Sequence, residues 1–188
     1  MTAFTKRFAN CSLDNFAAND EEQIKMIEYL KSCLTNGFSE NIVITGGVGL
    51  GKTHLAYAIV NALEKKMTSP TGWEFYTKKS VDLVNIKYII DNIKNLWKDK
   101  ADGYDKNIVA EFKKIGVLII DEVGVQYGTD SERLELFEIF NARYNAMLPT
   151  IIISNHTLEE LPRILGLRII DRLFSGAKFF ELKGKSKR

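Results

Sequence analysis

The stretch Gly46-Gly47-Val48-Gly49-Leu50-Gly51-Lys52-Thr53 places glycines, a lysine and a hydroxyl at the spacing G-x-x-x-x-G-K-[ST]. Those residue types suit one task, the holding of a phosphate chain. Glycines let the backbone turn tightly and aim successive N–H groups at anionic oxygens. Lys52 can reach the β- and γ-phosphates, and the Thr53 hydroxyl can ligate Mg²⁺. Two more groups stand where such a site needs them. Asp121-Glu122 directly follows the apolar run Val117-Leu118-Ile119-Ile120. An aspartate there holds Mg²⁺, through water because the ion keeps several waters. Glu122 beside it can polarise the attacking water as general base. Asn155 follows a second apolar run, Ile151-Ile152-Ile153-Ser154, and can orient water against a γ-phosphate. His54, next to the loop, reads as a packing or locally hydrogen-bonded residue, and His156 as a surface residue.

Arg168 and Arg172 lie four apart, on one helix face. Within one subunit they have only Asp171 or Glu181 to pair with, and surface pairs contribute little. In an oligomer either can reach a neighbour's γ-phosphate, and such an arginine contributes roughly 10³–10⁵ in rate.

These side chains require strands that end, and helices that start, at one edge of a sheet. Residues 41–45 read as a short buried strand before the loop, and 53–66 as the helix after it, burying Leu55, Ala58, Ile59 and Leu63. Asn19-Asp20 offers an N-cap for a helix reaching Asn36-Gly37, with Ile24, Ile27, Leu30 and Leu34 at helical spacing. Upstream, residues 1–19 are a lead-in whose Phe4, Phe8, Leu13 and Phe16 pin it onto the rest. Residues 68–72 form a turn and 73–77 a second strand. Ser80 caps a longer helix with Ile86, Ile90, Ile93 and Trp97 on one face and Lys87, Lys94 and Lys98 opposite. After a break at Asp102-Gly103, Asp105 starts a shorter helix to about Lys114.

The run 117–120 is a strand buried on both faces, as in a parallel sheet. Asp130 or Ser131 caps a helix carrying Leu136, Phe137, Phe140, Tyr144 and Met147 inward, and Pro149 ends it. Then come a strand at 150–154, helices at 157–165 and 167–174, and a last strand at 178–182. Strands alternating with helices give an α/β domain with a parallel sheet.

A chain of 188 residues is long enough for one domain with a sizeable core. The net charge of +2 is too small to argue for nucleic acid. Its distribution is more pointed, with Lys183, Lys185, Lys187 and Arg188 crowding the end as a basic tail at 183–188. That tail is either solvated or a DNA contact. Cys11 and Cys33 match neither a C-x-x-C pair nor a zinc set, so they read as free thiols of a reducing compartment. No apolar run approaches the ~20 residues of a membrane span, and no signal-peptide core is present. The cytoplasm is the simplest location.

The order of loop, Asp-Glu, Asn after the next strand, then Arg-x-x-x-Arg resembles the AAA+ ATPases. Asn10-Cys11-Ser12-Leu13-Asp14-Asn15-Phe16, Gly51-Lys52-Thr53-His54-Leu55-Ala56, Asp121-Glu122-Val123-Gly124-Val125-Gln126 and Leu165 to Leu173 resemble the DnaC-like replicative helicase loaders. The resemblance runs from about residue 10 to 182. It implies a three-layer α/β/α P-loop NTPase of the ASCE type, with five parallel strands in the order 5-1-4-3-2 and a reduced or absent helical lid. It divides the chain into the lead-in 1–19 and an ATPase domain 20–188, with 80–114 as a helical insertion linked to DNA binding and assembly. Its lysines are either DNA contacts or a solvated face.

The implied cofactors are ATP and Mg²⁺, bound by Gly46 to His54 with Thr53 and Asp121 at the metal. Glu122 is implied as base, Asn155 as the γ-phosphate sensor, and Arg172 as the finger acting in trans, with Arg168 the second choice. Arg188 is a weak candidate for a second sensor. The implied partners are a DnaB-type replicative helicase, single-stranded DNA and further copies of the chain. Two rivals share much of this pattern: an IstB-like transposition helper, and a nucleotide-switched interaction module without turnover. Glu122 and Asn155 speak against the second. A small-molecule kinase would need an Arg-rich lid segment, and none is evident.

Overall fold

The computed structural model describes residues 6–67, 81–101, 108–124, 129–184 and 186. Its centre is a parallel sheet of β1 (Ile42–Gly46), β2 (Val81–Asn85), β3 (Val117–Val123), β4 (Thr150–Ser154) and β5 (Lys178–Leu182). The strands lie in the order β2-β3-β4-β1-β5, which is 5-1-4-3-2 read from the other side. Among the described residues, α-helices cover both faces of the sheet, so the architecture is the expected three-layer α/β/α.

Alternation along each strand divides the core. Ile42, Ile44, Val117, Ile119, Ile151 and Ile153 face α1 (Glu21–Asn36) and α2 (Lys52–Met67). Val43, Leu118, Ile120 and Ile152 face α3 (Ile86–Ala101), α4 (Ile108–Phe112), α5 (Asp130–Asn145), α6 (Leu161–Leu165) and α7 (Leu167–Phe174). Both faces are covered, so the central strands are apolar runs rather than alternating ones. Each such side chain, fully buried, stabilises the fold by about 1.5–3 kcal/mol.

Several elements differ from their sequence reading. The turn and strand expected at 68–77 lie outside the described residues. The strand beside β3 is Val81–Asn85, so the helix expected from Ser80 begins only at Ile86. Val81, Leu83 and Val84 are buried against β3 and the helices, and Asn85 caps α3 by accepting from the Lys87 N–H at 2.8 Å. Ile86, Ile90 and Ile93 are buried as expected, and Ile89 joins them. Of the helix expected at 105–114, Ile108–Phe112 is helical.

The inward face of α1 is turned from the expected one: Gln23, Met26, Ile27, Leu30 and Cys33 are buried, whereas Ile24 is exposed. α5 begins at Asp130, so its cap lies one residue earlier than expected, and it buries Leu136, Ile139, Phe140 and Arg143 at spacings of three and four. Tyr144 and Met147 point outward instead; Met147 lies past the helix end and is 86 % exposed. α6 is shorter than the 157–165 reading because Pro162 sits in its first turn and Leu161 is its first helical residue.

Two asparagines tie elements together. Asn41 donates to the Arg172 and Leu173 carbonyls at the end of α7 and accepts from the Thr150 N–H at 2.9 Å. Terminal helix carbonyls have no partner of their own, so this cap fixes α7 against the sheet. Asn61 of α2 donates to the carbonyls of Phe8, Ala9 and Cys11. Phe8 also stacks on Tyr57 at 4.4 Å between ring centroids, and Leu13 and Phe16 are buried. The lead-in is thereby pinned on α2, as its aromatics suggested.

Candidate nucleotide-binding site

β1 ends in a turn that only glycine can make freely. Gly49 and Gly51 have φ of +82 and +93°, a region costly to residues with a Cβ. A Cβ on Gly51 would also lie 2.8 Å from Phe16 Cε2. The chain then enters α2 at Lys52, giving a loop that closes on a helix N-terminus, where N–H groups and dipole both favour an anion. The Lys52 Nζ donates to the carbonyls of Gly46 and Gly47 at 2.6 Å each, and its side chain is 7 % exposed. An ammonium group is thus held against the backbone of the loop's first two residues.

The metal side of the site forms between α2 and β3. Thr53 Oγ1 donates to Asp121 Oδ2 at 3.0 Å. Mg²⁺ takes oxygen ligands and keeps several waters, so a hydroxyl that donates to a carboxylate suits an ion that the Thr53 oxygen would hold directly and Asp121 through a water. Burial pushes the Asp121 carboxyl above its usual range; the Glu122 N–H and the Thr53 hydroxyl pull it down, the Glu122 charge raises it and the Lys52 charge lowers it. A divalent cation would favour the ionised form. The residues present fit an ATP·Mg²⁺ group.

Glu122 owes its direction to a bulge. The register between β3 and β4 shifts between Ile120 and Val123, leaving Asp121 and Glu122 together opposite Ile153. Two residues against one bend the strand and re-aim a side chain. Glu122 takes φ of +58°, rare for a residue with a side chain, while its N–H bonds Asp121 Oδ1 at 2.7 Å. Its carboxylate accepts a hydrogen bond from Asn85 Nδ2. Asn85 pairs with Asp121 in the sheet register. The sequence reading has no place for it, because its strand falls within the helix expected from Ser80. A run of Val-Asp-Leu-Val before an amphipathic helix was the available signal.

Asn155 lies just past β4, exposed at the strand tip. The strand end itself is fixed by Ser154, whose Oγ donates to the Val123 carbonyl at 2.6 Å and accepts from the His156 N–H. His156 is packed against Gly124, where any Cβ would overlap its ring, so it is less superficial than expected. His54 Nε2 lies 3.0 Å from the Ser12 carbonyl and its ring is 5.8 Å from that of Phe16. Its hydrogen bond is to a residue distant in sequence rather than a local one, and it fastens residues 12–16 beside the loop.

The two arginines differ. Arg172 is engaged within its own chain, through Nε to Asn141 at 3.0 Å, an ion pair with Asp171, and Tyr144, whose ring centroid lies 5.2 Å away. Arg168 is exposed. Glu181 instead pairs with Lys183 at 3.1 Å. Lys87 and Lys94 are exposed on α3, Lys87 paired with Asp91. The Lys98 side chain, Lys185, Lys187 and Arg188 lie outside the described residues. Among the described residues no helix is long and apolar enough to cross a membrane.

The chain is similar to the replicative helicase loader DnaC of Escherichia coli strain K12, 26 % identical over 169 residues that make up 89 % of this chain and 64 % of that protein. It thus spans less than two thirds of the length of that relative. A crystal structure of the DnaC helicase loader superposes with a TM-score of 0.77 at 23 % identity, covering 95 % of this chain and all of the other. AMPPCP-bound DnaA from Aquifex aeolicus gives a TM-score of 0.74 at 24 % identity over 94 % of this chain and 51 % of DnaA. Those likenesses show the AAA+ fold. The family described as IstB-like ATP binding protein matches residues 3–188, the loop, the Asp-Glu strand end and α7 included, and this chain belongs to it.

Proposed function

We propose that the protein binds ATP with Mg²⁺ and hydrolyses it while helping to place a hexameric, DnaB-type replicative helicase on single-stranded DNA. The observation that carries this reading is the convergence of Lys52, Thr53 and Asp121 at one sheet edge, with Glu122 aimed alongside by its bulge. The loop N–H groups and Lys52 bind the phosphates. Thr53 and Asp121 hold the cation, which supplies charge neutralisation at the β- and γ-oxygens. Glu122 takes the proton of the attacking water once Asn85 yields its carboxylate, and Asn155 orients that water from the β4 tip.

An arginine of α7 completes the site of a neighbouring copy. Arg172 must give up Asn141 and Asp171 to do so, whereas Arg168 already points to solvent. Replacing the responsible arginine by alanine leaves nucleotide binding by the monomer intact and abolishes DNA-stimulated hydrolysis. Hydrolysis that survives both replacements refutes an acting-in-trans arginine. The loader works in the cytoplasm, where its helicase and DNA are.

Similarity to DnaC over most of the chain supports the loader. The family description itself favours a second reading, an IstB-like helper of a transposase. A pull-down against the host replicative helicase, with ATP and single-stranded DNA present or absent, separates them. ATP-dependent capture of the helicase is the expected result. Stimulation of a transposase on duplex DNA, without helicase capture, replaces the loader by the helper.

A further inference from the structure

β5 ends beside the phosphate-binding loop, and described residues beyond it lie close to that loop. The last register pair of β5 is Leu182 with Gly46, the first residue of the loop, and a Cβ on Gly46 would lie 2.5 Å from the Leu182 carbonyl oxygen and 2.9 Å from Leu182 Cβ. One residue on, the Lys183 carbonyl accepts from Gln23 Nε2 at 2.9 Å. Gln23 is 2 % exposed and is itself gripped at the start of α1, bonding Asp20 through both its N–H and its Nε2 and accepting from the Asn19 N–H. Gly184 passes Asn19. Ser186 then comes down on Gly49: a Cβ there would overlap Ser186 Oγ and stand 3.0 Å from Ser186 Cβ and 3.5 Å from its Cα. Gly49 is the middle of the turn, with φ of +82°, and its conformation decides where the following N–H groups point.

We propose that Ser186 is a positioning residue of the phosphate site, its side chain holding the Gly49 turn in the shape that receives the nucleotide. The proposal rests on the reading of Gly46 to Thr53 as that site. Ser186 acts through the loop and touches no reacting atom. The Gln23–Lys183 hydrogen bond makes the contact effective, because it anchors the backbone three positions before Ser186. A loop left to itself samples other turn conformations, and each lowers the fraction competent to bind.

The test is the dissociation constant for ATP and for ADP, from displacement of a fluorescent nucleotide, measured beside the melting temperature without nucleotide. Ser186→Ala weakens both nucleotides by about two- to tenfold, because the loop loses the Oγ that lies against Gly49, with the melting temperature unchanged, and Ser186→Thr, which keeps the hydroxyl, restores the affinity. In a double-variant cycle Gly49→Ala weakens binding through both its φ and its overlap with Ser186, and adding Ser186→Gly recovers the overlap part. Parent-like affinity in Ser186→Ala overturns the proposal. So do a fall in melting temperature that accompanies the loss, failure of Ser186→Thr to restore it, and strict additivity in the cycle. Lys52→Ala is the control: if it binds ATP like the parent, the nucleotide-site reading fails with the proposal. If it loses ATP while the Ser186 variants bind normally, only the role of Ser186 fails.

Discussion

The two ends of the sheet each bury a cation against backbone carbonyls, and they use it differently. At the end where β3 and β4 begin, Arg143 donates to the carbonyls of Phe112, Ile115, Gly116 and Pro149 and to Thr150 Oγ1. It is 1 % exposed, and burial pulls its guanidinium down to about 9, so it remains a cation at neutral pH. Five acceptors on two segments, 112–116 and 149–150, take up its five N–H groups. At the opposite end, Lys52 holds two carbonyls of its own loop. A compact ammonium on a flexible stem can exchange those for phosphate oxygens, whereas a planar guanidinium in a fixed fork cannot rearrange. One end is closed by its cation and the other is kept ready by it. Backbone strain does not follow this division: Glu122 takes a left-handed conformation where the loops gather, and Met147 takes one beside the closed end.

Arg143→Met breaks this contrast most severely. It keeps the aliphatic packing but orphans carbonyls on two chain segments, and a buried acceptor left unmade costs about 1–3 kcal/mol. Stability in urea is expected to fall by about 3–5 kcal/mol, with the ATP affinity of the folded fraction unchanged. A loss under about 1 kcal/mol would mean the carbonyls find water, and the closed end is not closed. At the other end Glu122→Gln is the counterpart. ATP binding and stability are expected to stay near those of the parent while single-turnover hydrolysis drops about 10²–10³-fold, the range for a general base. Unchanged turnover removes Glu122 from that role.

Lys52→Ala comes next and sharpens the comparison directly, because both cations are buried on carbonyls. If Lys52 served the fold as Arg143 does, the alanine variant would melt early. The expected result is a melting temperature close to the parent's with ATP affinity down about 100-fold, roughly 2.7 kcal/mol for a charge facing phosphate. Titration calorimetry and thermal unfolding on one sample read both quantities.

The functional end was the more legible in the sequence. Glycines, Lys52, Thr53, Asp121, Glu122 and Asn155 are types and spacings with few other uses, and each sits at an apolar strand whose ends are plain from composition. The closed end left no such mark. The sequence reading of the inward face, Leu136, Phe137, Phe140, Tyr144 and Met147, passes over Arg143; only the carbonyls of Phe112 to Gly116, brought there by tertiary packing, reveal its place. The second strand failed for a related reason. Val81 to Asn85 is short, carries a buried Asp82 and runs straight into α3 without a turn residue, so the helical period of Ile86, Ile90 and Ile93 was extended back over it. Asn85 was lost with that strand, and with it the partner of Glu122.

Asn85 carries the smallest expected effect and the finest distinction, because one side chain does two jobs. Its Oδ1 caps α3 through the Lys87 N–H, and its Nδ2 holds the Glu122 carboxylate. Asn85→Ala loses both: stability is expected to fall by about 1 kcal/mol, the worth of an N-cap, and turnover to change because Glu122 is no longer held. Asn85→Asp keeps an oxygen for the cap but sets a second carboxylate against Glu122 in place of a donor. Its stability is therefore expected to return toward the parent's while its turnover does not. If turnover and stability move together in both variants, Asn85 serves only the helix, and Glu122 is aimed by the β3 bulge alone.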